Sequence, residues 1–101
     1  MKQIYEFSFW LKKDADENAP QLKKLFENFK FEIIQETPAK LKNLAYSIQK
    51  ETLGKFGTIY FYADKEKIEE FKNKARGLKE ILRFIVLRRN HLKLNNNNES
   101  K

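Results

Sequence analysis

From Ile4 to Leu11 the side chains alternate, with Tyr5, Phe7, Phe9 and Leu11 on one parity and Ile4, Glu6, Ser8 and Trp10 on the other. This is the period of a half-buried strand. Leu22, Leu25, Phe26 and Phe29 then recur at helical spacing, and the period of two returns at Phe31. One backbone cannot satisfy both periods, so each switch marks a boundary between elements and the succession of periods restricts the fold.

The succession can be followed to residue 88. Asn18, ahead of Ala19-Pro20, is the expected start of the first helix, with Pro20 in its first turn. Phe31, Ile33 and Gln35 alternate with Glu32, Ile34 and Glu36; Pro38 is expected to interrupt this strand, which resumes from Leu44 to Ile48. Glu51-Thr52-Leu53-Gly54 reads as a break before the aromatic strand Phe56 to Ala63. Asp64 is the expected cap of a second helix whose stripe is Ile68, Phe71, Ala75 and, past the turn, Leu78, with Gly77 marking its end, and Leu82 to Arg88 is the last strand. The order β-α-β-β-α-β predicts a ferredoxin-like split βαβ fold of class α+β: a four-stranded antiparallel sheet with two helices on one face. Residues 1–90 are expected to form a single domain, and the Asn-rich tail 91–101 to be disordered.

Strand parity assigns the two faces. Burying Glu6 without a partner would cost several kcal/mol, so Tyr5, Phe7 and Phe9 are expected to face the helices. On the third strand Gly57, Ile59, Phe61 and Ala63 fit beneath the helices, which leaves Phe56, Thr58, Tyr60 and Tyr62 on the open face near Trp10. Those rings can serve cross-strand packing, a partner protein or unstacked bases. Because the arginines lie beyond the patch, a protein-partner surface of Trp10, Phe56, Tyr60 and Tyr62 is the preferred functional reading.

Charge points to the class of partner. The chain has 21 Lys and Arg against 14 Asp and Glu, a net charge of +7, and such an excess favours phosphate polymers through counterion release. The segment Leu41 to Lys50 sets Leu44, Tyr46 and Ile48 in alternation within a cluster of Lys40, Lys42, Lys50 and Lys55, which suits a strand that holds cations toward a polyanion. Lys23-Lys24 reads as a solvated helix face.

Enzymatic readings find little support. Cys is absent and the one histidine, His91, falls beyond the last strand, so no thiolate site or histidine triad is expected. Gly54-Lys55-Phe56-Gly57 lacks the spacing of a phosphate-binding loop. We expect no catalytic residue, metal, cofactor, small-molecule substrate or membrane partner. With no signal-peptide pattern or spanning apolar run, a soluble cytoplasmic protein is expected.

Two RNA-binding or adaptor readings share this element order. Gly54 to Phe61 imitates the aromatic octamer of RNA-recognition motifs, yet Gly54-Lys55 reverses its first two positions and Thr58 replaces a stacking ring. A motif-like single-stranded RNA binder and a protein-binding adaptor of the same fold stand as alternatives.

Leu44-Ala45-Tyr46-Ser47-Ile48-Gln49-Lys50, the N-terminal Ile4-Tyr5-Glu6 and the final Leu82-Arg83-Phe84-Ile85-Val86-Leu87-Arg88 together resemble the bacterial small-subunit ribosomal protein S-six family. Members typically carry Leu-Ala-Tyr-Pro-Ile-x-Lys after a basic stretch, a Tyr-Glu near the start and an Arg-containing apolar last strand. Ser47 stands here in place of the usual Pro. The resemblance covers about residues 2 to 90 and implies a structural protein that binds the central domain of 16S rRNA together with ribosomal protein S-eighteen, with no catalysis or cofactor. It implies RNA contacts at Lys2, Lys42, Arg83 and Arg88, while charge clustering adds Lys40, Lys50 and Arg89. Arg83 and Arg88 are expected to matter most, since a guanidinium forks onto phosphate where Lys offers a point charge.

Overall fold

The computed structural model describes residues 2–48 and 50–89, and the side chains of all of these except 45–48. Its elements are β1 (Lys2–Lys12), α1 (Pro20–Asn28), β2 (Glu32–Ile48), β3 (Glu51–Asp64), α2 (Ile68–Arg76) and β4 (Ile81–Arg89), with a short 3-10 turn at Lys65–Lys67 leading into α2. The strands lie in the order β2-β3-β1-β4 with every neighbouring pair antiparallel. Both helices supply their apolar stripes to one face of this sheet, so the ferredoxin-like arrangement is as expected. The tail 91–101, with His91, lies outside the described residues.

The core is a cluster of rings. Phe7 from β1, Phe26 from α1, Phe61 from β3 and Phe71 from α2 are each almost wholly buried, and their rings meet edge-on or tilted, as at Phe26–Phe61, 4.9 Å between centroids, and Phe7–Phe71, 5.7 Å. Burying such a ring contributes about 1.5–3 kcal/mol, and ring geometry of this kind adds about 0.5–1.5 kcal/mol a pair. Among the described residues no polar or charged side chain is buried in this core. The period of two in β1 therefore does its work here: Tyr5, Phe7, Phe9 and Leu11 are all buried.

Helix ends depart from the expectation. Asn18 does not cap α1; the N-cap position is Ala19, in left-handed conformation at φ 47°, buried, with no side-chain capping bond. Asn18 instead donates its backbone N–H to Asp16 Oδ1 at 2.9 Å. At the other end Lys30 takes φ 58°, its N–H bonding the Glu27 carbonyl at 2.9 Å while that of Phe31 reaches the Phe26 carbonyl at 3.0 Å. This paired closure satisfies the last carbonyls of the helix, and it carries the chain directly into β2. Asp64 sits at the N-cap of the 3-10 turn without a side-chain capping bond. Gly77 does end α2, though at φ −84° and so without using a left-handed conformation.

The middle of the chain differs more. Pro38 does not interrupt β2, which runs for 17 residues. β2 is an edge strand, so a missing N–H can face away from the ladder. The pairing instead shifts register at Ile33/Gln35 and at Thr37/Lys40, where bulges absorb an extra residue. The first shift moves Gln35 from the parity of Ile33 to that of Tyr60. Nor is Glu51 to Gly54 a break, since β3 begins at Glu51 and the turn falls at Lys50, φ 68°. Gly54 is a strand residue whose lack of a side chain admits Trp10: a Cβ there would lie 3.1 Å from Trp10 Cε3 and 3.0 Å from the Leu11 carbonyl oxygen.

Since α1 lacks a cap of its own, the loop before β4 supports it. Glu80 lies near its first turn, where burial pushes the carboxyl pKa up, the Leu22 backbone N–H partly offsets this, and the Asp16 charge adds to it. Its Oε2 is buried without a hydrogen-bond partner. A carboxyl with a raised folded pKa favours folding most when protonated, and that advantage is lost as pH rises from the ordinary 4.5 through the folded value. Glu80→Gln keeps an acceptor for Leu22 without the charge. It is expected to match or exceed the native stability at pH 7 and to flatten the pH dependence in that window, as urea titrations at several pH values would register.

Candidate nucleic-acid interface

The register places the open face residue by residue, because partners opposite one another in an antiparallel pair share a face. Across all four strands one row reads Lys40, Phe56, Trp10, Arg83. The next reads Thr37, Thr58, Ser8, Ile85, followed by Gln35, Tyr60, Glu6, Leu87 and finally Glu32, Tyr62, Ile4, Arg89. Beyond the first row Lys42 and Lys12 flank Gly54. Cations therefore gather at the end of the sheet where the β2–β3 hairpin leaves it, while the acidic residues of this face, Glu6 and Glu32, lie in the far rows.

Two bulges act on β2 within this face: the first, at Ile33/Gln35, inverts the strand's parity, and the second restores it. Pro38 and Ala39 together oppose Gly57, so the pairing passes from Thr37–Thr58 to Lys40–Phe56. Without the extra residue Lys40 and Lys42 would fall on the helix side. With it, Lys42 Nζ stands 5.4 Å from the centroid of the Phe56 ring, and Lys40 is exposed on the same face. The rings of Trp10 and Phe56 meet at 5.0 Å, tilted by 53°. A hollow of about 260 Å³ opens beside them, bordered also by Ser8, Arg83 and Ile85.

The expected contact residues are thus not all brought together. Lys40, Lys42 and Arg83 share one end of the open face. Arg88 lies opposite Tyr5 and so on the helix side, where its Nη1 donates to Gln3 Oε1 at 2.6 Å; its parity separates it from Arg83. Arg89 is on the open face at the far end and is held by Glu6, its Nε donating to Oε1 at 2.7 Å and its Nη2 to the same oxygen. Ser8 Oγ also donates to Glu6, at 2.9 Å, so Glu6 is paired and faces away from the helices. Lys2 is exposed opposite Asp64, in the far row's direction. Lys50 is exposed at the hairpin turn, beyond the three-stranded part of the sheet. Lys55 belongs to the helix side and donates to the Ala15 carbonyl at 2.6 Å, a structural bond that pins the loop after β1. Tyr46 falls among the undescribed side chains.

The aromatic residues hold their expected face. Trp10, Phe56, Tyr60 and Tyr62 are all partly exposed there. Burial pushes the Tyr60 hydroxyl pKa up, and the nearby Glu6 charge adds to this against the opposing Arg89. The phenol is therefore a neutral donor near pH 7. Sequence reasoning missed Ile85 and Leu87, which are 54% and 39% exposed on β4; the alternation of that strand was the available signal. Among the described residues no group of three or more potential metal ligands converges, and no helix is long and apolar enough to cross a membrane.

Residues 4–88 match the family model of ribosomal protein S6. The small ribosomal subunit protein bS6 of Phytoplasma mali is 32% identical over 75 residues, which cover 74% of this chain and 80% of that protein. The crystal structure of 30S ribosomal protein S6 from Thermotoga maritima superposes with a TM-score of 0.77 at 28% identity, covering 88% of this chain and 89% of that one. An uncharacterized protein of the same organism, at 16% identity and a TM-score of 0.55 over 87% of this chain and 98% of its own, shares the fold alone. With the family match spanning both helices and all four strands, the chain belongs to the ribosomal protein S6 family, whose members are structural, RNA-binding proteins of the ribosome and not enzymes.

Proposed function

We propose that this chain holds the backbone of small-subunit ribosomal RNA with the basic end of its open sheet face, on the central domain of 16S rRNA and together with ribosomal protein S-eighteen. As a member of its family it is a structural, cytoplasmic protein of the small ribosomal subunit, active in translation. The proposal concerns where it holds which partner. The observation that carries it is the row Lys40, Phe56, Trp10, Arg83, with Lys42 over the Phe56 ring. Cations from both outer strands flank an aromatic centre, a spacing that suits phosphates passing either side of stacked apolar surface.

Lys50 extends the same charge along the hairpin. Lys2 and Arg88 lie away from this end and would meet other parts of the RNA, whereas Arg89 must first give up Glu6. Tyr60 and Tyr62, with the exposed rims of Trp10 and Phe56, are assigned to the protein partner. The motif-like alternative needs a free Phe56 face for a base, and Lys42 and Trp10 already lie against that ring.

Lys42→Ala combined with Arg83→Ala is expected to weaken binding to a central-domain rRNA fragment in the presence of S-eighteen. Removing one cation that neutralises a phosphate should lower the slope of log affinity against log salt by about one, hence by about two for the pair. Arg88→Ala should change the slope less. Filter-binding titrations at several salt concentrations measure this, and an unaltered slope in the double variant would refute the assignment. If Phe56→Ala alone removed binding, at about 1–3 kcal/mol for a stacked base, the motif-like reading would replace it. Absence of any salt-dependent RNA binding would favour the adaptor.

A further inference from the structure

Among the described residues the sheet ends in two free edges, and they are built differently. The edge at β2 carries Pro38 and three register shifts, devices that break the run of main-chain groups on which a foreign strand could pair. The edge at β4 has no proline, and its register shift falls at its start, where Ile81 meets Leu11. Ile85 and Leu87 stand exposed along it. On its other side a groove of about 470 Å³ separates β4 from α2, with Lys72, Arg76, Phe84 and Val86 among its lining residues. The Arg76 guanidinium lies 6.0 Å from the centroid of the Phe84 ring, and its Nη1 donates to Asn73 Oδ1 at 2.6 Å.

We propose that the outer edge of β4 is a docking strand for an extended acidic segment of a protein partner. The segment adds to the sheet as a fifth strand. Its alternate side chains are apolar against Ile85 and Leu87 on the open face, and carboxylates toward Lys72 and Arg76 in the groove. The free edge and the groove carry this inference independently of the RNA assignment.

Other occupants fit the chemistry less well. A second copy would bring its own Arg83, Arg88 and Arg89 against the same residues, in a chain of net charge +7, and like charges across an interface oppose association. An RNA backbone offers accepting phosphate oxygens with a 2′-hydroxyl on each sugar, at a spacing unlike that of a strand, whereas a strand edge presents carbonyls and N–H groups in regular alternation. A polypeptide edge matches that alternation residue by residue. Acidic side chains match the groove, where Lys72 is held by Glu69 at 3.1 Å through a carboxylate that is 78% exposed; an exposed pair of this kind exchanges readily for another carboxylate.

The test uses the isotope-labelled full chain with a blocked peptide of alternating valine and glutamate, the same peptide with lysine for glutamate, and an oligouridine. The glutamate peptide is expected to slow amide exchange within Ile81–Arg89 while leaving β2 unchanged. Neither the lysine peptide nor the oligouridine should do so. Lys72→Glu with Arg76→Glu, both on the exposed side of α2, should weaken the glutamate peptide at least about ten-fold. Absence of protection in β4, equal protection by the lysine peptide, or protection by the oligouridine would each overturn the proposal. All three are measured on the native chain, so the outcome does not depend on how the charge-reversed variant folds.

Discussion

Phe71→Ala is expected to remove about 3–5 kcal/mol of folding stability. Phe71 is wholly buried, and its ring meets five others: Phe7 at 5.7 Å, Phe26 at 4.9 Å, Phe29 at 5.5 Å, Phe31 at 5.2 Å and Phe61 at 5.8 Å. Those rings come from β1, α1 and its end, the residue just before β2, and β3. No single neighbour can move into the space without breaking contacts elsewhere, so the cavity stays open and its full cost is felt. Against a typical total of about 5–15 kcal/mol, the loss should leave a marginal fold. Urea denaturation is expected to show a large fall in midpoint with little change in slope. A loss below about 1 kcal/mol would mean that the ring cluster does not organise this core.

Gly57→Val is expected to be comparably damaging, for the opposite reason. A Cβ at Gly57 would lie 2.8 Å from Phe9 Cζ, 3.1 Å from the Thr37 carbonyl oxygen and 3.2 Å from Ala39 Cα. Two of these neighbours are backbone of the bulge at Pro38–Ala39, so relief requires β2 to move. Overpacking of this kind costs about 3 kcal/mol, which for a domain of this size lowers the melting temperature by about 12 °C or more. The displacement has a functional reading as well, since the same bulge turns Lys40 and Lys42 to the open face. Gly57→Val should therefore shift the amide resonances of Lys40 and Lys42 and weaken RNA binding in the fraction that stays folded. A variant with native melting and native Lys40 and Lys42 resonances would show that the bulge tolerates the side chain.

Much of the architecture was legible. The alternation of β1, the stripes of both helices and the parity of Phe56, Thr58, Tyr60 and Tyr62 are local patterns, and each burial follows from neighbours in the chain. Glu6 belongs with them: an acidic residue within an apolar strand had to face away from the helices, and it does so paired with Arg89. Turn chemistry was less reliable. Gly54 looks like a turn residue in a sequence but serves a close approach by Trp10, and the turn itself uses Lys50 in a left-handed conformation. Ala19 likewise takes a position that favours Asn or Gly, because its methyl group is buried.

The candidate site was legible in its composition and not in its grouping. Arg83 and Arg88 differ in parity along β4, which the sequence contains, so their separation onto two faces could have been foreseen. The pairing of Arg89 with Glu6 could not, because 83 residues separate them along the chain. What the sequence determined by itself is the order of elements and which residues of β1, β3 and the helices enter the core, since those depend on local period. Only the tertiary structure decided that β2 is bulged twice and that Gln35 and Thr37, between the bulges, share the open face with Glu32, Lys40 and Lys42. A bulge belongs to a pair of strands: the shift at Ile33/Gln35 inverts the parity of β2 and the extra residue at Pro38–Ala39 opposite Gly57 restores it, and no pattern within β2 alone records which partner residues they meet.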